Sequence, residues 1–219
     1  MEYSIHLISN KPESLAPIQE SISPETVYYF DGTDYPSFSK LVNDCIEAST
    51  TEINILMSDR VLPTKEHVDK VLRLLKMGYA FVGLYRFAFF GFKKELFRVL
   101  GPLDERFVGG GGEDDDYYFR LREADLAAYI TAEVPYTPGP TRWSYNSPDR
   151  PSLQRLKAKW DLENWAVRTL PTRKLSEETT RIKLGPKSPV IFLNETQTYT
   201  NAKYASVYFP RNHKDLSTL

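Results

Sequence analysis

The chain has 219 residues, and its 28 lysines and arginines nearly balance its 29 aspartates and glutamates. This balance excludes the strongly basic character that a nucleic-acid or anionic-membrane partner would require. The single cysteine, Cys45, excludes a disulfide within the chain and suits a reducing compartment, so we expect a cytoplasmic location. No apolar run reaches the roughly 18 residues of a membrane span, so we expect none.

Strands and helices alternate through the first part of the chain. The hydrophobic spacing predicts strands at residues 3–8, 26–30, 53–57 and 79–84, and helices at 13–21, 39–48 and 63–77. This alternation is typical of an α/β fold with a mixed, mostly parallel sheet flanked by helices. At this length we expect a single domain, residues 1–219.

The first three predicted strands all end in polar residues. Ser9, Asn10 and Lys11 follow the first strand, Asp31 ends the second, and residues 58–60 (Ser-Asp-Arg) close the third. Ligands of parallel α/β sheets bind beyond the carboxyl ends of the strands. Asn, Asp and Ser also favour ordinary turns, so a ligand site and plain turn chemistry are both open at this edge.

The second part of the chain is less regular. Residues 87–92 are apolar on both faces, and five prolines between 135 and 151 predict a long loop. Helices are predicted at residues 93–100, from 113 to 125 or 126, and at 152–167, and strands at 127–131, 190–193 and 205–209. The two late strands are expected to pair with each other.

Four consecutive glycines, residues 109–112, lead directly into four carboxylates, Glu113 to Asp116. Glycine permits positive φ and lets a ligand approach the backbone closely. Acids are favoured in the first turn of a helix, but capping accounts for only one or two of them. The mutual repulsion of four acids must be offset, and a sugar, a metal ion or a reaction needing a carboxylate base would each do so. The stretch therefore predicts a functional site.

Three segments around these acids carry a family resemblance. Residues 89–97 (FFGFKKELF), 101–107 (GPLDERF) and 111–121 (GGEDDDYYFRL) resemble the acceptor half of the GT-A glycosyltransferases. The match is closest to the inverting transferases of family two and to the Golgi galactosyltransferases. It is specific over about residues 89–121, and the layout is similar over 3–165.

The resemblance implies a GT-A, Rossmann-like fold and a hexosyl- or pentosyltransferase of carbohydrate biosynthesis. It divides the chain into a nucleotide-sugar half at about 1–86, an acceptor and catalytic half at about 87–168, and a C-terminal extension at about 169–219. The donor is expected to be a UDP-sugar, and the acceptor a hydroxyl of a glycan or glycoconjugate. The chain could also be one domain of a larger polypeptide.

The same resemblance assigns the catalytic carboxylates. It makes Asp114 the general base and Glu113 a carboxylate that binds the acceptor, with Gly111 and Gly112 beside it. Inverting transfer needs one carboxylate to take the proton of the attacking hydroxyl as the bond from C1 to phosphate breaks. Asp115 and Asp116 are expected to be structural, as helix charges or partners of the arginines at 120 and 122. In the proline-rich loop, Trp143 is a candidate for stacking on a sugar face.

The strand ends are the implied donor site. The resemblance places the nucleoside and its diphosphate at Ser9, Asn10, Lys11, Asp31, Ser58, Asp59 and Arg60. In the family an Asp-x-Asp motif holds a divalent metal. Here Asp59 matches the second acid, and Met57 stands in place of the first.

Asp59 is therefore the predicted ligand for Mn²⁺ or Mg²⁺, which often keep several waters and rely on phosphate oxygens. The other interpretation of Asp59 is a turn residue that caps the helix after Pro63. The loop at 139–151 has no histidine to add a further ligand.

Two other functions are open. A sugar-phosphate nucleotidyltransferase shares this sheet architecture, but it usually has a glycine-rich, basic loop directly after the first strand, which residues 9–12 do not resemble. A non-catalytic carbohydrate- or calcium-binding module could instead use the acidic run, and it would bind metal without nucleotide.

Overall fold

The computed structural model describes residues 2–108, 111–124, 126–137, 151–160 and 191–192. The strands are β1 (Tyr3–Ser9), β2 (Val27–Asp31), β3 (Ile53–Ser58), β4 (Phe81–Phe87), β5 (Phe89–Lys93), β6 (Ala128–Ile130) and β7 (Ile191–Phe192). The α-helices are α1 (Leu15–Ser21), α2 (Phe38–Ala48), α3 (Lys65–Lys76), α4 (Glu95–Leu100), α5 (Glu113–Glu123) and α6 (Pro151–Trp160).

The strands form one seven-stranded sheet in the order β2-β1-β3-β5-β4-β6-β7. β1 is parallel to both β2 and β3, and β6 is parallel to both β4 and β7. β5 is antiparallel to both of its neighbours. The predicted fold class, a mixed and mostly parallel sheet flanked by helices, is confirmed. The predicted division of the chain into halves stays a prediction.

β5 is the strand that the sequence pattern did not separate from its surroundings. Its residues, 89–93, lie in the apolar run that has no alternation, and four of the five are buried. A strand covered on both faces loses the two-residue period that would identify it. Because β5 is antiparallel to β3 and to β4, β4 runs in the same direction as β3. The carboxyl end of β4 therefore lies at the same edge of the sheet as those of β1, β2 and β3.

Close packing joins α3 to the middle of the sheet. The helix buries Val68, Val71 and Leu75. A Cβ added at Gly91 of β5 would lie 2.5 Å from Cγ1 of Val71. Only glycine therefore allows the helix to approach β5 this closely.

An aromatic cluster packs α5 against the same strands. The ring of Phe81 lies 5.7 Å from that of Phe90 and 5.7 Å from that of Tyr118. Phe87, at the end of β4, lies 5.4 Å from Tyr118. Tyr117 and Tyr118 are almost fully buried. These contacts place the start of α5 near the carboxyl end of β4.

The later elements agree with the sequence pattern in part. β6 and β7 fall within the strands predicted at 127–131 and 190–193, but β7 pairs with β6. The predicted pairing of β7 with residues 205–209 cannot be compared, because that segment lies outside the described residues. Trp143 and most of the proline-rich loop also lie outside them. Across the described segments, no helix combines the length and apolar character needed to cross a membrane.

Candidate active site

Three of the polar strand ends meet at one edge of the sheet. The parallel pairing of β1 and β2 sets Ser9 opposite Asp31, and the pairing of β1 and β3 sets Ile8 opposite Ser58. The residues predicted to bind the donor therefore lie together, as parallel strands require. The pairing register of β1 with β2 and β3 is sufficient to bring these strand ends together.

Local turn bonds engage several of these side chains. The Oγ of Ser9 accepts the backbone N–H of Lys11 at 3.0 Å. One carboxylate oxygen of Asp31 accepts the backbone N–H of Thr33 at 3.0 Å and its hydroxyl at 2.6 Å. These two bonds lower the pKa of Asp31. Asn10 is exposed between the two turns. Turn chemistry is thus sufficient to explain Ser9 and Asp31, and it leaves their nucleoside role a prediction.

Asp59 forms an ion pair that crosses this edge. Its Oδ2 lies 2.9 Å from the Nζ of Lys11, joining the segments that follow β1 and β3. The hydrogen bond to Asp59 raises the pKa of Lys11. The capping interpretation of Asp59 is wrong, because α3 is capped by Thr64 together with His67. Asp59 is therefore held by a cation from another strand end.

Arg60 points toward the segment after β6. Its Nη1 lies 3.4 Å from the hydroxyl of Tyr136, whose ring stacks on Tyr85 at 4.4 Å between centroids. A β-bridge also pairs Val61 with Tyr136. Arg60 is thus bound to Tyr136, in the segment after β6 that borders the edge. Its role toward a diphosphate stays a prediction.

The protein groups around Asp59 set limits on a metal site. Met57, in place of the first acid of the motif, is fully buried, with Leu7 and Phe89 as its partners in the sheet. No cluster of three His, Cys, Asp or Glu side chains suited to a metal occurs in the described part of the chain. Asp59 alone fits a Mn²⁺ or Mg²⁺ held mainly by diphosphate oxygens and water, and does not fit a preformed protein cage.

The glycine turn before α5 has the predicted backbone. Gly111 has φ +89° and Gly112 has φ +99°, a region that L side chains rarely adopt. A Cβ added at Gly112 would lie 3.1 Å from the ring of Phe107 and 3.3 Å from the carbonyl oxygen of Ser152. Packing alone therefore explains Gly112, while Gly111 is partly exposed. Their predicted contact with an acceptor stays a prediction.

The fourth acid of the run is structural. Asp116 is fully buried, and its Oδ2 lies 3.0 Å from Nη2 of Arg120, one turn along α5. The Nη1 of Arg120 donates to the carbonyl oxygens of Leu100 at 2.9 Å and Pro102 at 2.7 Å. The expected pairing of Asp116 with Arg120 is confirmed. Arg120 thereby fixes α5 to the end of α4 and satisfies the carbonyl of Leu100, which that helix leaves open.

The second and third acids face a different arginine. Arg86, at the end of β4, forms an ion pair with Oδ2 of Asp114 and lies 3.5 Å from Oδ1 of Asp115. The other oxygen of Asp114 accepts the backbone N–H of Asp115 at 2.9 Å. The side chain of Asp114 keeps 17% of its surface exposed, against 5% for Asp115. Asp114 is thus the acid of this pair that a ligand can reach.

Glu113 has no comparable cation among the described residues. The residue is partly exposed, but its Oε2 is buried and has no hydrogen-bond partner in the described part of the chain. Burial and then the charge of Asp114 raise the pKa of Glu113 to about 8. Two neighbouring carboxylates in such different surroundings are a frequent arrangement in acid–base sites.

Comparison with known proteins gives distant structural likeness only. No protein-family model matches the sequence, and no curated protein is significantly similar. Two similar solved structures are of Drosophila β1,4-galactosyltransferase 7: a mutant in complex with manganese, UDP-Gal and xylobiose, and the catalytic domain in complex with xylobiose. Both are 15% identical, with TM-scores of 0.46 and 0.48.

Each comparison covers 58% of this chain and 64% of the other, so the match spans less than two thirds of those structures. A likeness at this identity and TM-score does not identify a function.

Arg86 is the site residue that sequence reasoning missed. It joins the acids of α5 to the edge where the donor residues lie, because β4 runs parallel to β3. The available signal was a basic residue near the end of a predicted strand, the position at which Asp31 and Asp59 were singled out. The pattern did not indicate that Asp114, 28 residues later, would be its partner.

Proposed function

We propose that this protein is a cytoplasmic glycosyltransferase, which moves a sugar from a nucleoside diphosphate to a hydroxyl of a glycan or glycoconjugate with inversion. One observation carries the proposal. The edge that holds the polar ends of β1, β2 and β3 also holds Arg86 of β4, which contacts the acids of α5. A donor site and a carboxylate base would thus be adjacent. The single cysteine, which is free and buried, supports the location.

Asp114 is the general base of this proposal. The acceptor oxygen attacks C1 of the donor sugar, the C1–O bond breaks toward the diphosphate, and Asp114 takes the hydroxyl proton. A carboxylate has about four acceptor positions, so its bonds to Arg86 and Asp115 leave room for the proton. Glu113, with a pKa of about 8, is largely protonated at neutral pH and can donate a hydrogen bond to an acceptor oxygen.

The donor is proposed to lie along the strand ends. Ser9, Asn10 and Asp31 would bind the nucleoside, for which we propose uridine on the resemblance at residues 89–121. The diphosphate would lie near Lys11 and the segment 58–60. A bound Mn²⁺ or Mg²⁺ would neutralise charge on the diphosphate, with Asp59 as its protein ligand. Lys11 would then have to leave Asp59.

A calcium-binding module is the weaker alternative. Arg86 engages Asp114 and Asp115, and Arg120 engages Asp116, so three of the four acids already have cationic partners in the protein. A cation at the acidic run would have to displace these arginines. The nucleotidyltransferase alternative has no support from a glycine-rich or basic loop after β1, where residues 12–14 form a 3₁₀ turn.

Nucleotide binding is the test of the proposed function. Thermal unfolding of the full chain would be followed with UDP, GDP, CDP and ADP, each with Mn²⁺ or with a chelator. A ligand that binds only the folded state raises the midpoint according to its concentration over its dissociation constant. We expect stabilisation by UDP, increased by Mn²⁺, and loss of that increase in Asp59→Asn. Asp69→Asn, on the exposed face of α3, is the matched control.

Release of UDP from UDP-sugars in the presence of mono- and disaccharide acceptors would then identify the sugar. Stabilisation by Ca²⁺ alone, without any response to a nucleotide, would contradict the transferase and favour the binding module. Formation of a nucleotide sugar from a nucleoside triphosphate and a sugar phosphate would instead favour the nucleotidyltransferase.

A further inference from the structure

Resting on the proposed function, we infer that Arg86 is a positioning residue for the transfer step. Its guanidinium holds the carboxylate of Asp114 in the orientation in which that carboxylate accepts the proton of the acceptor hydroxyl. Arg86 acts through Asp114 in this inference, and it is not required for binding the nucleotide.

The contacts of Asp114 support an orienting role. Arg86 binds Oδ2, and the backbone N–H of Asp115 binds Oδ1 at 2.9 Å, so the two carboxylate oxygens are held from different directions. A carboxylate held at both oxygens cannot rotate about its last bond. Because catalytic proton transfer requires the base within hydrogen-bond reach of its proton, a fixed carboxylate lowers the cost of reaching the productive geometry.

The backbone at Arg86 gives independent support. Its φ is +48°, a left-handed conformation that is unfavourable for a residue with a long side chain. The hairpin is tight here, since a Cβ added at Gly83 would lie 2.8 Å from the carbonyl oxygen of Arg86. Glycine or asparagine would adopt this φ at lower cost. Turn formation alone does not explain an arginine, whereas its ion pairs with Asp114 and Asp115 do.

Arg120 shows how a purely structural arginine of this site differs. It pairs with Asp116 within the same helix, and it donates to carbonyls at the end of α4. Its acid partner has no exposed surface, so no substrate can reach it. Arg86 instead pairs with an acid that keeps 17% of its side chain exposed, and it reaches that acid from another element of the fold.

The test uses Arg86→Ala and Arg86→Lys in the full chain, assayed by UDP release with the best UDP-sugar and acceptor from the panel above. We expect Arg86→Ala to lower kcat by about 10- to 100-fold, because small displacements of a catalytic group cost factors of this size. The KM of the acceptor and the thermal shift by UDP should stay within about threefold, since positioning acts on the transfer step.

Two forms of rescue distinguish positioning from folding. Arg86→Lys should recover part of kcat, because an ammonium can still pair with Asp114. Guanidinium at low millimolar concentration should also recover part of the kcat of Arg86→Ala, and urea at the same concentration should not. Arg98→Ala, which removes an exposed arginine of α4, is the matched control and should behave as the wild type.

Three results would overturn the inference while leaving the proposed function in place. They are a wild-type kcat in Arg86→Ala, a loss of UDP binding that parallels the loss of kcat, and a loss of kcat with a lower unfolding midpoint that neither lysine nor guanidinium restores. If the wild type releases no UDP from any donor in the panel, the proposed function fails, and this inference fails with it.

Discussion

The ends of β1, β2 and β3 and the start of α5 are both rich in polar residues, but their side chains are held differently. Along the strand ends Asp31 binds Thr33 and Ser9 binds the N–H of Lys11, both within their own turns, and one ion pair, Lys11 with Asp59, joins two strand ends. At the start of α5 the acids bind arginines, one of them from another element, and Glu113 has a buried oxygen without a hydrogen-bond partner among the described residues.

The difference is that turn formation accounts for residues such as Ser9 and Asp31, whereas it does not account for the acids at the start of α5. Buried carboxylates cost free energy unless cations or hydrogen bonds compensate for the lost water. A helix N-terminus stabilises one or two acids, but it does not require a Glu113 with a buried carboxylate oxygen beside Asp114. The start of α5 is therefore the stronger candidate for chemistry, and the strand ends are the stronger candidate for binding.

Removing the proposed base should give the largest effect. We expect Asp114→Asn to lower kcat by about 10²- to 10⁴-fold, the range typical of a general base, since an amide cannot take the proton. UDP should still raise the unfolding midpoint, because the nucleotide lies at the strand ends. UDP release and thermal shift on the same preparation would measure both.

Asp115→Asn is the matched comparison for this variant, because Asp115 shares Arg86 but has almost no exposed surface. Its kcat should fall far less. Equal losses in the two variants would mean that charge balance around Arg86, rather than a base at Asp114, supports the activity.

Hydrophobic periodicity and turn chemistry were enough to predict the parallel strands and the meeting of their polar ends. The glycine turn and the acidic start of α5 were also predictable, since both follow from local backbone preferences. β5 was not, because a strand buried on both faces has no period. The contact of Arg86 with Asp114 depends on β5 reversing the chain and on the φ of Arg86, and neither can be read from local sequence.

Asp116 should affect stability more than any other acid of the run. Asp116→Ala leaves Arg120 without its carboxylate in a largely buried position, which we expect to lower the free energy of unfolding by about 3 kcal/mol. Urea unfolding would measure the loss. Asp69→Ala, which breaks an exposed ion pair on α3, should cause no measurable change. A stable Asp116→Ala variant with reduced kcat would contradict the structural role of this acid.

Glu113 should make stability depend on pH. Its pKa rises from an ordinary 4.5 to about 8 in the folded protein, so the folded state binds more protons than the unfolded state between these values. Stability should therefore fall as pH increases from 5 to 8, by on the order of 1–3 kcal/mol. Glu113→Gln should remove this slope, as measured by urea unfolding at several pH values.

The lowered pKa of His6 acts in the opposite direction, but it is common to both proteins and cancels in the comparison. If the wild type and Glu113→Gln show the same slope, Glu113 does not carry the raised pKa. A proton would then not be available from Glu113 for a hydrogen bond to the acceptor at neutral pH.

Lys11 should give the smallest effect, and one whose sign is informative. Its Nζ lies 2.9 Å from Oδ2 of Asp59, the carboxylate that we propose as the ligand of the metal ion. Lys11→Met should weaken UDP binding in a chelator by about threefold, since an exposed cation contributes modestly. The same variant should lower the Mn²⁺ concentration needed for half of the UDP-dependent shift, because the ion no longer competes with Lys11.

Lys40→Met, which removes a similar pair on α2, is the control. A higher Mn²⁺ requirement in Lys11→Met would mean that Lys11 helps to bind the metal–diphosphate complex, and that Asp59 serves Lys11 rather than the metal.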